Sequence, residues 1–474
     1  MQLPIVAPAP LVACHAGAFR RLFTDERTYE NFQTYLTGLI VLENKSLSNI
    51  SRCTLKSADK TNLSRFLSES PWKSEAVNAH RIQYLLAQTV NMRLDGKQSC
   101  LLIDDTLCEH VGSVLEYIDR HYNHSDSSYP LAHNLVTSHY RSGAVQFPVD
   151  CEIYRRYEDL TQWEQFIAKH FPDQEIPPTT QARQTLHKQF DPTLLEDPEF
   201  AKLHEQFRTK LTIAHELLKQ AIEHGLPFTT VLMDSWYLTT EFVEQLATHN
   251  KQWVSLLKRN RNLSMQGFQL RDAQGQPIPL PTNGVIKVED LVPLIPATAY
   301  RQVEIDDRRY WCFSVCTRLS GIGKVRLVIS FQSADLSAPY AVLVTNHTDW
   351  SAKQILSKYL QRWTIETFYR DGKQLLGLDQ YRVRSLSAMQ SHWCLVFVAY
   401  SLLHLACLAS SSKPPKGKGL THPIQTIGEV VRQQGQALVE QLILFAHDQL
   451  LQGQAAAQVF TNLFAKQQKQ FSYS

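Results

Sequence analysis

"SCLLIDDT", at residues 99–106, opens the part of the chain whose pattern decides the fold. Its apolar run 101–103 predicts a short buried strand, and the acidic residues Asp104 and Asp105 follow that strand directly. Acidic residues after a strand are most often turn formers or helix caps, so this pair does not define a site by itself. A second predicted buried strand, in "FTTVLMDSWY", ends in the same way at Asp234.

The segments around these two strands predict one α/β unit. Residues 134–140 and 145–156 are β-rich and flank a Ser-Gly turn, which is typical of a hairpin. A polar, proline-containing connection leads to an amphipathic helix expected at about 202–224, and another helix and strand follow the second buried strand. Because open α/β sheets place their sites at strand ends, Asp104 and Asp234 can converge.

The remaining segments differ from this unit in their patterns. Residues before it have apolar positions at helical spacing and scattered basic residues, which fit a small DNA-binding module as well as any other helical domain. Alternating and β-branched residues later predict a β-rich insertion, since a structureless loop of that length is implausible in a compact domain. The predicted division is a helical N-terminal DNA-binding domain at 1–95, the core at 96–261, the insertion at 262–338, the second part of the core at 339–409, and a basic loop with a C-terminal helical tail at 410–474.

Composition is ordinary for a soluble globular protein: the 474 residues are 43% hydrophobic and 20% charged, with a formal charge of +3. Residues 351–420 nevertheless contain ten Lys/Arg against three Asp/Glu, which would suit a polyanion or simply form a solvated basic face. Nine scattered cysteines indicate reduced thiols and a cytoplasmic protein. The apolar stretch 393–409 contains His404 and small residues, so a buried helix is expected there and no membrane partner.

"YLQRWTIETFYRDGK", at residues 359–373, mixes charged and aromatic side chains within one predicted helix, at 351–376. At about 100° per residue, a helix places four residues of this stretch within an arc of roughly 60°. These residues are Tyr359, Arg362, Glu366 and Lys373. The alternative interpretation is a solvent-facing helix with an i,i+4 ion pair. A second basic run, at 258–261, fits a phosphate contact or a solvated charge run equally well.

Two strand-end aspartates and one helical glutamate form a plausible cluster of three carboxylates, Asp104, Asp234 and Glu366. Carboxylates brought together repel one another, and binding of a divalent cation removes that repulsion. Oxygen ligands favour Mg²⁺ or Mn²⁺ over zinc. Two such ions about 4 Å apart can activate a water or a 3′-hydroxyl and stabilise the leaving oxygen of a phosphodiester. Neighbouring basic side chains would hold the phosphate backbone, which favours DNA as the substrate.

The spacing Tyr-x2-Arg-x3-Glu-x6-Lys resembles the Y-R-E-K signature of bacterial insertion-sequence transposases of the DDE type, in the IS-four group. "IDDT" resembles the family's first-aspartate motif, Asp-x-Thr, and maps to Asp104 with Thr106. "VLMDSWY" resembles the second motif and maps to Asp234. Asp105 stays an alternative, because the apolar run leaves either acid as the inward residue. The resemblance covers about residues 100–385 and implies an α/β, RNase H-like catalytic core with a mixed sheet, interrupted by the β-rich insertion.

This resemblance implies a cut-and-paste transposase that cleaves the terminal inverted repeats of its element and joins the ends to target DNA. By carry-over, the three carboxylates hold two Mg²⁺ ions, which Mn²⁺ can replace, and a homodimer forms on the paired ends. The implied DNA contacts are Tyr359, Arg362 and Lys373, with Arg382 and Arg384 following the same helix. Such a protein is expected in the bacterial cytoplasm, at the nucleoid when bound to DNA. The alternatives are an RNase H-like DNA endonuclease without strand transfer and a domesticated, non-catalytic DNA-binding protein.

Overall fold

The computed structural model describes most of the chain, and its described residues are 2–55, 59–123, 125–155, 161–205, 208–265, 268–272, 274–279, 281, 284–337, 339–411 and 426–468. Helices form the N-terminal part, where apolar residues recur at helical spacing. Aspartate and serine side chains cap several of these helices by accepting a hydrogen bond from a backbone N–H of the first turn. The helices are α1 (Pro10–His15), α2 (Glu26–Val41), α3 (Leu47–Cys53), α4 (Lys60–Ser68) and α5 (Ser74–Gln88), with a 3₁₀ helix at Ala16–Leu22.

Five strands make the centre of the sheet, in the spatial order β4-β3-β1-β5-β6. The antiparallel pair β3–β4 is the predicted hairpin, and β1, β5 and β6 run parallel to one another. This arrangement is the mixed α/β sheet expected of an RNase H-like core. The strands are β1 (Cys100–Glu109), β3 (Leu131–Ser142), β4 (Val145–Tyr154), β5 (Thr230–Met233) and β6 (Gln252–Leu256), and the short β2 (Asp119–Arg120) pairs with β3.

The strand β1 is longer than the sequence predicted. It was expected to end at Ile103, but β3 pairs with it along its whole length, so Asp104 and Asp105 lie within the strand. Its parallel neighbour β5 pairs only as far as Ile103 opposite Met233. Beyond that pair, β1 is hydrogen-bonded to β3 alone among the described strands. Its edge on the β5 side is therefore unpaired from Asp104 onward, and the sheet is open there.

Beyond β6 the same sheet continues in the order β12-β11-β10-β7-β8, with β9 paired to β10. β12 belongs to the predicted second part of the core, and the other strands belong to the predicted insertion. All pairings in this extension are antiparallel. The twelve strands of the described residues therefore form one continuous sheet. These strands are β7 (Asn262–Ser264), β8 (Val285–Lys287), β9 (Arg301–Ile305), β10 (Arg308–Leu319), β11 (Gly323–Phe331) and β12 (Tyr340–Thr345), with a short helix α11 (Val288–Leu291) and 3₁₀ helices at Val292–Leu294 and Ala297–Ala299.

Helices cover both faces of the sheet, and alternate residues of the strands belong to two hydrophobic cores. Leu102 on β1 faces the core that contains the N-terminal and C-terminal helices, and Leu101 faces the core on the opposite side. The opposite core contains α9 (Lys210–Glu223), α10 (Thr240–Thr248) and α11, together with Ile82 and Leu85 from the end of α5. Each β1 side chain is therefore assigned to one face by its position in the sequence.

Residues 161–204 form a small helical unit that the sequence did not reveal. The connection predicted there contains three helices, α6 (Thr161–His170), α7 (Thr180–Leu194) and α8 (Pro198–His204). They enclose a separate apolar cluster of Trp163, Ile167, Leu194 and Phe200. The amphipathic helix expected at 202–224 accordingly begins only at Lys210, where the Thr209 side chain caps it.

The predicted helix at 351–376 is two helices, α12 (Ala352–Leu360) and α13 (Trp363–Leu376). The chain turns between them through short-range hydrogen bonds, including Arg362 N–H to the Tyr359 carbonyl at 2.8 Å. At its far end, α13 stops at Gly377, whose φ of 71° is left-handed. The prediction of one continuous helical stripe is therefore wrong.

The remaining helices are α14 (Leu386–Ser411), α15 (Ile427–Leu451) and α16 (Ala456–Gln468). Among the described residues, α14 is the one helix long and apolar enough to cross a membrane, and 72% of its most apolar window is buried inside the protein. Buried Tyr35 and Arg81 of the N-terminal helices bond to its His392 and Ser401, so α14 packs as a core helix. The basic loop was predicted at 410–423, and all of it beyond residue 411 lies outside the described residues.

Candidate active site

Asp104 and Asp234 lie next to each other in register on two parallel strands. Ile103 and Met233 are the last paired residues of β1 and β5, and the two aspartates directly follow them. The backbone N–H of Trp236 donates to Asp234 Oδ1 at 2.8 Å and fixes that carboxylate at the strand end. Both acids therefore lie where the sheet opens, Asp104 within β1 and Asp234 directly after β5.

The alternation of β1 puts Asp104 and Asp105 on opposite faces of the sheet. Asp104 shares the face of Leu102, against α13, whereas Asp105 shares the face of Ile103. Asp105 is bound there by Lys210, whose Nζ lies 2.8 Å from Oδ2. The sequence alone left either acid as the inward residue, and the structure places Asp104 beside the glutamate helix.

Arg362 connects two of the three candidate carboxylates. One guanidinium nitrogen, Nη1, donates to Asp104 Oδ2 at 2.5 Å, and the other, Nη2, donates to Glu366 Oε1. The alternative interpretation of this helix was a surface i,i+4 pair with Glu366. The Arg362 side chain is only 13% exposed, however, and it also binds Asp104 of β1. The arrangement is therefore a half-buried cluster rather than a surface ion pair.

Burial dominates the electrostatics of the two aspartates. It raises the pKa of Asp104 to about 7, against the opposing attraction of Arg362, and the charges of Asp105 and Asp234 add to the rise. Burial also raises the pKa of Asp234, while the Trp236 N–H acts in the opposite direction. Burial thus makes both carboxylates costly to ionise, and a bound cation would stabilise their charged forms.

The donor chemistry of this cluster fits a divalent cation, but the side chains are not arranged around one. Within the described residues, no group of three or more His, Cys, Asp or Glu side chains lies close enough to hold a metal ion. Asp104 and Glu366 both direct an oxygen to Arg362 instead. Carboxylate oxygens alone would select Mg²⁺ or Mn²⁺, once Arg362 releases them.

The other residues of the Tyr-Arg-Glu-Lys signature occupy different places. Tyr359 lies in the last turn of α12, and the Arg362 guanidinium carbon lies 5.7 Å from the centre of its ring. Lys373, on α13, binds β1 beyond the aspartates: its Nζ donates to the Leu107 carbonyl at 2.7 Å. Arg362 and Glu366 are therefore the two signature residues that bond at the cluster, and Lys373 holds α13 against β1.

Arg382 and Arg384 lie outside this cluster. Both are exposed and alternate with buried Tyr381 and Val383. They line a groove with the carboxylate of Glu109, at the far end of β1. The structure therefore separates these two predicted DNA contacts from the acids.

Two residues that the sequence analysis did not single out, Tyr237 and Lys210, bind Asp105 beside the candidate site. Tyr237 is fully buried, and its hydroxyl donates to Asp105 Oδ1 at 3.2 Å. Lys210 approaches from the first turn of α9, more than a hundred residues from its partner. The one signal in the sequence was the aromatic pair that follows Asp234.

Comparison with known proteins agrees with this geometry. A family model described as DDE superfamily endonuclease matches residues 18–307, which is more than half of the chain. The chain belongs to this superfamily of DDE endonucleases, whose members generally use divalent metal ions. Asp104 and Asp234 lie within the matched residues, and Glu366 lies beyond them.

A particular relative is the probable transposase for insertion sequence element IS701 of Microchaete diplosiphon. It is 24% identical over 245 residues, which cover 51% of this chain and 52% of the relative. The chain thus matches about half the length of this relative. The predicted resemblance to insertion-sequence transposases of the DDE type is confirmed.

Proposed function

We propose that this protein is a DNA transposase that cleaves the inverted-repeat ends of its element and joins them to target DNA. The observation that carries the proposal is the Arg362 bridge between Asp104 and Glu366, beside the strand end that bears Asp234. It assembles two carboxylates from distant parts of the chain next to a third. The family membership and the transposase relative support the same chemistry.

In the proposed site, Asp104, Asp234 and Glu366 hold divalent metal, two Mg²⁺ ions that Mn²⁺ can replace. When bound, the metal activates a water or a 3′-hydroxyl and stabilises the leaving oxygen of the phosphodiester. Arg362 then exchanges its carboxylate partners for a DNA phosphate, since a guanidinium binds either group in the same bidentate manner. Its contact with the Tyr359 ring keeps it beside the acids during that exchange.

The other proposed DNA contacts are the two exposed arginines of the groove at the far end of β1, which Glu43, Glu109 and Asp379 also line. Arg382 and Arg384 are exposed in their groove and are free to bind the phosphates of a duplex that runs past β1. We infer that two copies act together on paired ends, each in the bacterial cytoplasm and at the nucleoid when bound to DNA. Light scattering with and without end DNA would detect this dimer as a doubling of protein mass per complex.

The testing experiment is cleavage of DNA that carries the inverted repeats flanking the coding region in the source genome. The full chain is incubated with Mg²⁺, and both strands are mapped at nucleotide resolution. Asp104→Asn, Asp234→Asn and Glu366→Gln should abolish cleavage with circular dichroism unchanged. Asp105→Asn is the matched control and should keep cleavage, because its carboxylate lies on the other face of the sheet.

Strand transfer is tested separately, with a pre-cleaved end and a target plasmid. A transposase joins the free 3′-hydroxyl to the plasmid, whereas an endonuclease without strand transfer leaves both molecules unjoined. Cleavage that survives in all three acid variants would overturn the assignment of the site. No cleavage by the unaltered chain under any divalent metal would overturn the enzyme itself.

A further inference from the structure

The strand β3 meets the helix that carries Glu366 on the same face of the sheet as Asp104. In the antiparallel pair of β1 and β3, Thr137 lies directly opposite Asp104. Residues opposite each other in such a pair have their side chains on one face of the sheet. His139, two residues farther along this face, packs with its ring centre 5.5 Å from that of Phe368 on α13. The side chains of β3 on the Asp104 face therefore lie against α13.

A buried hydrogen bond joins Thr137 to α13. The hydroxyl oxygens of Thr137 and Tyr369 lie 2.6 Å apart. Thr137 is 1% exposed and Tyr369 is 8% exposed. Because Tyr369 follows Glu366 by three residues, the two side chains are neighbours on the surface of the helix. One cross-strand pair, one hydrogen bond and one helical turn thus connect Asp104 to Glu366.

Tyr369 acts on the position of α13 and not on the charge of the carboxylate cluster. Burial raises the pKa of its hydroxyl well above the usual value, and the negative charge of Asp104 adds to the rise. The hydroxyl therefore stays protonated in the range of pH in which proteins are assayed. Among the described residues, it bonds to Thr137 and not to a carboxylate.

A second contact from β3 holds the beginning of α13. The Arg141 guanidinium donates to the Thr364 hydroxyl, and it also donates to the Gln361 carbonyl at 3.5 Å. These bonds fix the turn at which α13 begins. Glu366 therefore lies between two residues that are bound to β3, Thr364 on one side and Tyr369 on the other.

The separation of Glu366 from Asp104 matters because Mg²⁺ is strict about the placement of its ligands. It holds oxygen ligands at about 2.0–2.1 Å in nearly ideal octahedral geometry, whereas larger divalent cations accept longer and more variable distances. A helix bound at both Thr364 and Tyr369 cannot tilt over the strand. If the bond at Tyr369 is lost, α13 can tilt about Thr364, and the Glu366 carboxylate then leaves its place beside Asp104.

We propose that Tyr369 is a positioning residue of the metal site, whose bond with Thr137 sets the separation of Glu366 from Asp104 and so adapts the site to Mg²⁺. The inference rests on the proposed function, because it supposes that these two carboxylates hold the metal. Tyr369 touches neither the metal nor the DNA and acts through α13 alone. Phenylalanine at this position fills the same space but removes the bond.

The test uses the full chain in complex with pre-cleaved element-end DNA, so that no cleavage occurs during the measurement. Tyr369→Phe and Thr137→Val each remove one hydroxyl of the bond, and Thr137→Ser keeps it. Tyr140→Phe is the matched control, because the Tyr140 hydroxyl is on the same strand but donates to the Pro227 carbonyl in the opposite core, at 3.3 Å. Electron paramagnetic resonance of free Mn²⁺ gives the affinity for Mn²⁺, and competition gives the affinity for Mg²⁺.

Tyr369→Phe should weaken Mg²⁺ binding about tenfold and Mn²⁺ binding about twofold, because loss of one buried hydrogen bond loosens the geometry that Mg²⁺ needs most. DNA affinity, measured by fluorescence anisotropy, should not change. Thr137→Val should give the same result, and the double variant should lose no more, because both changes remove one bond. Thr137→Ser and Tyr140→Phe should bind both cations as the unaltered chain does.

The ratio of the two affinities separates positioning from a merely structural contribution. A structural contribution would lower resistance to urea in Tyr369→Phe and Tyr140→Phe alike and leave the ratio of Mg²⁺ to Mn²⁺ affinity unchanged. That unchanged ratio, or unaltered Mg²⁺ affinity in both Tyr369→Phe and Thr137→Val, would refute the inference and leave the transposase standing. If the unaltered chain binds no divalent cation in its DNA complex, the proposed function fails, and the inference fails with it.

Discussion

Asp104 should destabilise the metal-free protein, and replacing it should therefore stabilise the fold while removing activity. Its side chain is only 17% exposed, and burial raises its pKa from 3.8 to about 7. Between those two pH values the folded protein binds a proton that the unfolded chain has released. Stability therefore falls as pH rises from about 4 to 7.

The size of this effect follows from the shift in pKa. About three units correspond to about 4 kcal/mol at pH 8, and roughly half of that remains at pH 5.5. Asparagine resembles the protonated acid and still offers an oxygen to Arg362. Asp104→Asn should therefore gain about 2–4 kcal/mol in free energy of unfolding at pH 8, after allowance for relaxation around the site, and less at pH 5.5.

The assay is urea unfolding of the full chain in EDTA at pH 8 and pH 5.5, followed by circular dichroism. Asp105→Asn is the control of opposite sign, because it breaks an ion pair with Lys210 and should lose about 1–2 kcal/mol. A loss of stability in Asp104→Asn at pH 8 would refute the reasoning. A gain that does not change with pH would refute it as well.

Two further predictions concern the scaffold. Gly377→Ala should lower the free energy of unfolding by about 2 kcal/mol, because its φ is 71° and the new Cβ would lie 2.5 Å from Lys45 Cγ. Gly435→Ala is the control, because a Cβ at Gly435 meets no atom of the described residues within 4 Å. Urea denaturation should show this variant slightly more stable than the unaltered chain, so a loss at Gly377 is not a general result of replacing glycine in this chain. Trp163→Ala should destabilise the small helical unit at 161–204 by about 3–5 kcal/mol, because Trp163 belongs to the apolar cluster of that unit. Hydrogen exchange should then rise in residues 161–204 and not in the central sheet; uniform loss of protection would show that the unit is not separate.

The two aspartate strands were predictable because short apolar runs bounded by turn residues identify buried strands. The choice between Asp104 and Asp105 was not. A strand with both faces buried has no polar side from which to read its orientation, since Leu101 and Leu102 are equally apolar. The structure distinguishes the two acids by contacts with distant segments, Lys210 of α9 for Asp105 and Arg362 for Asp104.

The break between α12 and α13 was not predictable from the sequence, and neither was the helical unit at 161–204. Neither glycine nor proline interrupts the sequence at Arg362, so helical periodicity continues through a turn that tertiary contacts impose. In the helical unit, Pro177, Pro178 and Pro192 suggested a loop, although Pro192 lies inside α7. Among the described residues, only four buried ones form its apolar cluster, so these helices do not show a clear apolar periodicity in the sequence.

The most direct test of the account is to locate the metal in the protein itself. Fe²⁺ is substituted for Mg²⁺ in the complex with element-end DNA, and ascorbate with peroxide then generates radicals that cut the polypeptide near the bound ion. Cuts are expected next to Asp104, Asp234 and Glu366, and excess Mg²⁺ should remove them. Cuts confined to other segments, or cuts near only one of the three acids, would contradict the proposed site.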